Sequence, residues 1–153
     1  MKEIKLSKGK FAFVDDEDFE YLNQWKWCID DRNYAKRAVN INGKQSWIKM
    51  HRIIMNAPGK MEVDHVNRNN LDNRKSNLRI CTHSQNIANS KKPITNTSGV
   101  KGVHWKKNNN KWESYIGYQG KKIYIGLFDD IEKAAIAYKN KAHELFGEFA
   151  RTE

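Results

Sequence analysis

The sequence predicts an α+β fold: a β-rich platform carrying a strand, a long polar loop, a second strand and a helix, then a three-stranded antiparallel sheet packed on one α-helix. Three observations carry this expectation. The first third alternates apolar and polar residues in short runs separated by Gly and Asn turns. Residues 63–89 hold seven asparagines and few apolar positions, a loop composition. From residue 131 onward the apolar period becomes that of a helix face.

Taken in order, EIKLSKGKFAFV (3–14) reads as two short strands around Gly9, and Asp15 is placed to N-cap a helix over DEDFEYLNQ. Trp25 and Trp27 follow as core residues. Residues 33–41 and 45–54 read as strands joined at Asn42-Gly43, a pair suited to a type I′ turn because both residues tolerate positive φ. Residues 63–65 end a strand, 67–77 form an irregular loop, and 78–80 return as a strand. Thr82 with Gln85 makes a capping-box pattern that opens a helix near residue 83 and carries it through SQNIANSKK. SKKPITNTS (90–98) is polar, non-periodic and broken by Pro93, so a first domain is expected over 1–92, a linker over 93–97 and a second domain over 98–153. There GVHW, KWESYIGY and KIYIGLF read as strands, the last two turning at Gly120. Ile131, Ala134, Ala135, Tyr138, Ala142, Leu145 and Phe146 share a helical face, with Asp129 and Glu132 as capping pair and Gly147 as the stop.

The 153 residues are 39% hydrophobic, so the core is modest and leans on five Trp, six Tyr and six Phe. The net charge of +10 suits a polyanionic partner, and its distribution says more than its total. Residues 73–111 contain no carboxylate but nine Lys and Arg, whereas 126–153 carry four basic and six acidic residues. A run of uncompensated cations reads as a binding track rather than a salt-bridged surface. Cys28 and Cys81 are isolated, a spacing that argues against a structural zinc; a disulfide between them stays open, although isolated cysteines more often sit reduced. No apolar run approaches the roughly 18 residues of a membrane span and no signal peptide is evident, so a soluble intracellular protein is expected.

The Asn-rich stretch also contains one Asp-His pair. Asp64 on the strand and Asn86 one turn into the helix are hard oxygen donors, a pair suited to Mg²⁺ or Mn²⁺ with positions left for water and a substrate phosphate. His65, on the opposite face of the strand from Asp64, is the candidate general base. Asn77 is placed to brace the loop and to hold His65 through amide hydrogen bonds. His51 reads as a packing or supporting residue, His83 as solvated. Asn73 and Asn89 read as supports of loop and helix, and Asn67, Asn69 and Asn70 as turn formers.

These residues resemble the HNH, or ββα-metal, endonucleases, over residues 51 to about 90. The signature is Asp64-His65, Asn77 and Asn86, and with LDNRKSNLRICTHSQN around it the stretch is similar to phage homing endonucleases of the H-N-N subgroup, in which Asn replaces the last His. The resemblance implies that His65 activates water, that Asp64 and Asn86 bind a divalent metal, most simply Mg²⁺, and that Asn77 orients the base.

In the second part, Lys122, Tyr124 and Tyr115 fall on the sheet face opposite Ile123, Ile125 and Ile116, and Lys101, His104 and Lys106 join them from the first strand region. SGVKGVHWK, KWESYIG, YIGLFD and EKAAIAY resemble the ethylene-response-factor (APETALA-type) DNA-binding domain. That resemblance implies a sheet laid in the major groove, with contacts from Lys101, His104, Lys106, Tyr115, Lys122 and Tyr124. Arg74 and Arg79 are expected to add phosphate contacts from the loop and its returning strand. Together these readings predict a metal-dependent endonuclease of double-stranded DNA in a bacterial host cytoplasm. It would nick as a monomer and cut both strands only as a homodimer or in two events. The alternative is a catalytically inactive sequence-specific DNA-binding protein.

Overall fold

Ile4, Ala12 and Val14 point inward from the first two strands, and this stripe seeds one of two cores. The computed structural model describes residues 1–151, and packing divides the chain between Thr82 and His83. In the first unit, β1 (Lys2–Lys5) pairs antiparallel with β2 (Phe11–Val14), from Lys2↔Val14 to Lys5↔Phe11. The helix α1 (Asp16–Leu22) adds Leu22, and the buried Trp27 donates its indole N–H to the Leu22 carbonyl at 2.8 Å. Trp25 packs half-buried on the same core. Asp15 does not cap α1 as expected: its Oδ2 accepts instead from the Lys75 backbone N–H at 2.7 Å, tying the later polar loop to this end of the unit.

Next come β3 (Cys28–Ile29), β4 (Ala35–Ile41) and β5 (Lys44–Lys49), paired in that order. The β4–β5 turn is as expected, with φ of 51° at Asn42 and 77° at Gly43. The second strand is shorter than predicted, because 50–54 forms the helix α2 (Met50–Ile54). A short apolar run does not distinguish strand from helix by period. Burial of Met50 and His51 decides it, together with Arg52, whose guanidinium donates to the carbonyls of Ala57, Pro58 and Met61 and closes the turn behind the helix. The strands β6 (Glu62–His65) and β7 (Leu78–Cys81) then pair antiparallel, placing Asp64 opposite Arg79 and His65 opposite Leu78.

The second unit opens with α3 (His83–Asn89). Its Ala88 belongs to the core of Val103, Ile116, Ala134, Tyr138, Ala142 and Phe146, so the break in packing lies before α3 and not at 93–97. Residues 93–97 are a hydrogen-bonded turn, with Asn96 N–H on the Pro93 carbonyl at 2.9 Å and Asn96 Nδ2 on the Val100 carbonyl at 2.8 Å. The helix stops at Asn89, short of the predicted Lys91-Lys92. Lys101 Nζ donates to the carbonyls of Ile87, Ala88 and Ser90 at 2.8–3.0 Å and satisfies that end.

The antiparallel sheet β8 (Val103–Lys106), β9 (Lys111–Tyr118) and β10 (Lys121–Phe128) packs on α4 (Ile131–Phe146) as predicted, with β9 central. The α4 cap is Asp130 rather than Asp129: Asp130 Oδ1 accepts from the N–H groups of Glu132 and Lys133, while Asp129 pairs with Lys111 at 3.1 Å. Gly102 lies between α4 and the sheet: at φ +71° it leaves no room for a Cβ between the Tyr138 ring and the Tyr115 carbonyl. Among the described residues no helix is long and apolar enough to cross a membrane.

Candidate active site

The polar loop between β6 and β7 is built by its asparagines acting on backbone. Asn67 Oδ1 accepts from Asn69 N–H at 2.8 Å and Asn69 Oδ1 from Leu71 N–H at 3.2 Å, the Asx turns that this residue type favours. Asn70 Nδ2 reaches the Arg32 carbonyl at 2.8 Å. The backbone of Leu71 and Asn73 pairs with Phe13, through Phe13 N–H to Leu71 O at 2.8 Å and Asn73 N–H to Phe13 O at 2.7 Å. At its centre the buried Asp72 takes two 2.7 Å hydrogen bonds from Arg74 and one of 2.9 Å from Asn67 Nδ2, and the Arg74 contact holds its carboxyl below the usual range.

Asp64 and His65 end β6 with alternate faces, both buried. Arg79, opposite Asp64 in register, places Nε at 2.9 Å and Nη2 at 2.8 Å from Asp64 Oδ2, an ion pair that fixes the carboxylate's rotamer. His65 sits edge-on to His51, with ring centroids 5.0 Å apart at 85°, and 5.8 Å from the Tyr34 ring. Tyr34 is in turn 5.1 Å from His51. Burial in this aromatic nest pushes the His65 pKa down, against the Asn73 hydrogen bond and the Asp64 charge, so the ring is neutral and a proton acceptor at ordinary pH.

Asn73 faces His65, whereas the Asn77 amide hydrogen-bonds within the loop. Asn73 is fully buried, and its Nδ2 donates to the Leu71 carbonyl at 3.1 Å, which turns Oδ1 toward His65 Nε2 at 3.4 Å. A carbonyl oxygen facing Nε2 selects the tautomer with the proton on Nε2 and leaves the lone pair on Nδ1. Asn77 braces the loop, as expected, with Oδ1 accepting from Asn67 N–H at 2.9 Å and Nδ2 donating to Asp72 O at 2.7 Å. Tyr34, His51 and Asn73 gather on His65 from three separate segments. A sequence has no period that reports such a meeting, although burial of a histidine at the head of an apolar run was a usable signal for His51. Asn73→Ala is expected to slow cleavage about 10–100-fold, the usual effect of losing a group that orients a reactive histidine, with circular dichroism unchanged and plasmid nicking as the assay.

The other candidates fall as follows. Arg74 and Arg79, predicted to contact phosphate, are engaged by Asp72 and Asp64. Asn86 lies one turn into α3, in the second unit, and His83 is exposed at the start of that helix. Lys101 is turned to the end of α3 and not to the outer sheet face, and burial lowers its pKa to about 8. His104 and Lys106 both lie 2.8 Å from Glu113, whose carboxylate offsets the Lys106 charge. Lys122 stands over the Tyr115 ring at 3.6 Å, and Tyr124, opposite Tyr115 in register, is 58% exposed.

The family model described as HNH endonuclease matches residues 50–88, from α2 to the end of α3. An uncharacterised HNH endonuclease of Acanthamoeba polyphaga mimivirus is 32% identical over 149 residues, covering 94% of this chain and 74% of that protein. The chain belongs to the HNH endonuclease family. It is a DNA endonuclease, and the HNH match contains Asp64, His65, Asn73, Asn77 and Asn86 as well as the buried His51. Protein 3.8 of Escherichia phage T7 is 36% identical over 89 residues, 58% of this chain and 73% of that protein. No solved structure matches the chain.

HNH endonucleases in general depend on a divalent metal. Among the described residues no group of three or more His, Cys, Asp or Glu side chains gathers to hold an ion. The donor chemistry nevertheless fits a hard cation. Asp64 is an anionic carboxylate oriented by Arg79, and a sparse protein ligand set is what an ion sharing a substrate phosphate requires.

Proposed function

We propose that this endonuclease hydrolyses phosphodiester bonds of double-stranded DNA in a divalent-metal-dependent reaction, with His65 Nδ1 taking the proton of the attacking water. The observation that carries the reading is the buried Asp64–His65 pair with Nε2 facing Asn73 Oδ1, which presents a neutral imidazole beside an oriented carboxylate. Asp64 would be a ligand to the ion, most simply Mg²⁺. When bound, such an ion neutralises charge that develops on the phosphate and the leaving 3′ oxygen. The chain's own part is to hold His65 in one tautomer, to shield it from bulk water with Tyr34 and His51, and to accept the water proton. The products would be 5′-phosphate and 3′-hydroxyl ends. With one Asp-His pair per chain, a monomer would nick.

The same proposal assigns targeting to the second unit, read as an ethylene-response-factor-type module. Three antiparallel strands on one helix support that reading, as does the outer face of Tyr115, Lys122 and Tyr124. Lys106 and His104, tied to Glu113, would contribute less than the sequence suggests. Supercoiled plasmid tests the proposal. Mg²⁺ or Mn²⁺ should convert it to open circles before any linear form, and EDTA should stop the reaction. A chain that binds duplex but never relaxes plasmid with any divalent ion would instead be a DNA-binding protein without activity.

A further inference from the structure

Residues 32–61 contain seven Lys and Arg and no carboxylate, and they form β4, β5 and α2. Within β4 and β5, the register places Lys36 directly opposite Lys49, Ala38 opposite Trp47 and Asn40 opposite Gln45, all on one face because side chains alternate. Like charges directly opposite each other across a strand pair are destabilising. Neither ammonium has a carboxylate partner among the described residues; each stands over an aromatic ring, Lys36 over Trp47 at 4.2 Å and Lys49 over Tyr34 at 4.1 Å. Tyr34 is the ring packed against His51 and His65. A single aromatic side chain thus separates the Lys49 ammonium from the imidazole of the Asp-His pair. At the other end Trp47 leaves 53% of its surface in solvent.

We propose that this hairpin face is a second DNA-contact surface, built into the nuclease unit itself, with Lys49 and Lys36 binding phosphates of the strand that enters the His65 site and Trp47 packing on a sugar beyond them. The surface rests on the reading of the chain as a duplex nuclease and extends it. The fold gains nothing from facing two lysines across a strand pair, whereas a phosphate backbone lying along the hairpin neutralises both. Cations standing on aromatic rings are held in place before binding, so little side-chain freedom is lost on contact. The amides at Asn40 and Gln45 continue the face without adding charge.

Duplex binding by the full chain, measured by fluorescence anisotropy in EDTA across a salt series, tests this apart from cleavage. Each phosphate contact contributes about 0.9 to the slope of log K against log salt. The double variant Lys36→Gln, Lys49→Gln should therefore flatten the slope by about 1.8, while Lys36→Arg, Lys49→Arg should retain it. Trp47→Ala should weaken binding several-fold at every salt concentration with the slope unchanged. Removing the same charge with Lys8→Gln, Lys10→Gln should leave the slope as in wild type. An unchanged slope in the Lys36/Lys49 glutamine variant overturns the proposal, and so does an equal flattening in the Lys8/Lys10 variant. If wild type nicks plasmid while these outcomes hold, the hairpin surface alone is wrong. A wild-type chain that neither binds nor nicks duplex removes both readings.

Discussion

Replacing His65 with alanine is expected to slow plasmid nicking about 10²–10⁴-fold, the range over which a positioned general base contributes. The structure explains why no neighbour substitutes for it. His51, the nearest imidazole, is buried and has its pKa pushed down to about 3, and its Nδ1 finds no hydrogen-bond partner among the described residues. Tyr34 has its pKa raised, first by burial, and keeps its proton. The loss should appear in kcat, because His65 is packed beneath Tyr34 and His51 and duplex affinity depends on exposed cations. A His65→Ala chain that nicks at the wild-type rate would remove the assignment. Asp64→Ala should abolish cleavage as well, and it also leaves the part-buried Arg79 without its carboxylate, so the two variants differ in stability. Thermal melting separates them: Asp64→Ala melts lower, His65→Ala much less so.

The second large effect is on stability in acid. His51 is 4% exposed and burial holds its pKa at about 3, against 6.5 for an ordinary histidine. The unfolded chain therefore binds a proton between pH 6.5 and 3 that the folded chain does not, and stability falls as pH falls through that window. Each pH unit costs about 1.4 kcal/mol per such proton, on the order of 5 kcal/mol across the window. His65, also shifted downward by burial, acts in the same direction. Asp72, held down by Arg74, loses its contribution only below 3.8, so the two causes separate by pH. Urea unfolding of the metal-free chain at pH 7 and pH 4.5 checks this. His51→Leu should lose less stability than wild type between those two conditions, and equal losses would show that His51 is not the group responsible.

Much of the fold was legible because it is local. The Asn42-Gly43 turn needs two residues that accept positive φ, and only that register places Lys44 opposite Ile41. The α4 face from Ile131 to Phe146 repeats at the helical period, and β8, β9 and β10 form where strands were read. Asp64, His65, Asn77 and Asn86 were singled out for another reason: their spacing is similar to that of a known family, whose match spans residues 50–88. Folding adds partners that the sequence does not report to the cations expected to contact DNA. Lys101, Arg74, Arg79 and Lys106 look like a basic track in sequence, yet each is engaged by a carbonyl or carboxylate brought to it by folding.

By itself, then, the sequence determined the α+β class, the Asn42-Gly43 hairpin and the α4 stop at Gly147, and it placed the Asp-His pair within a family spacing, since each depends on residues within a few positions of one another or on that spacing. Tertiary structure alone decided that Asn73 faces His65, that Tyr34 and His51 close over it, and that Lys36 and Lys49 face each other beside it. Those meetings join segments separated by tens of residues, and they are selected by burial and hydrogen-bond satisfaction in three dimensions, which no local pattern records.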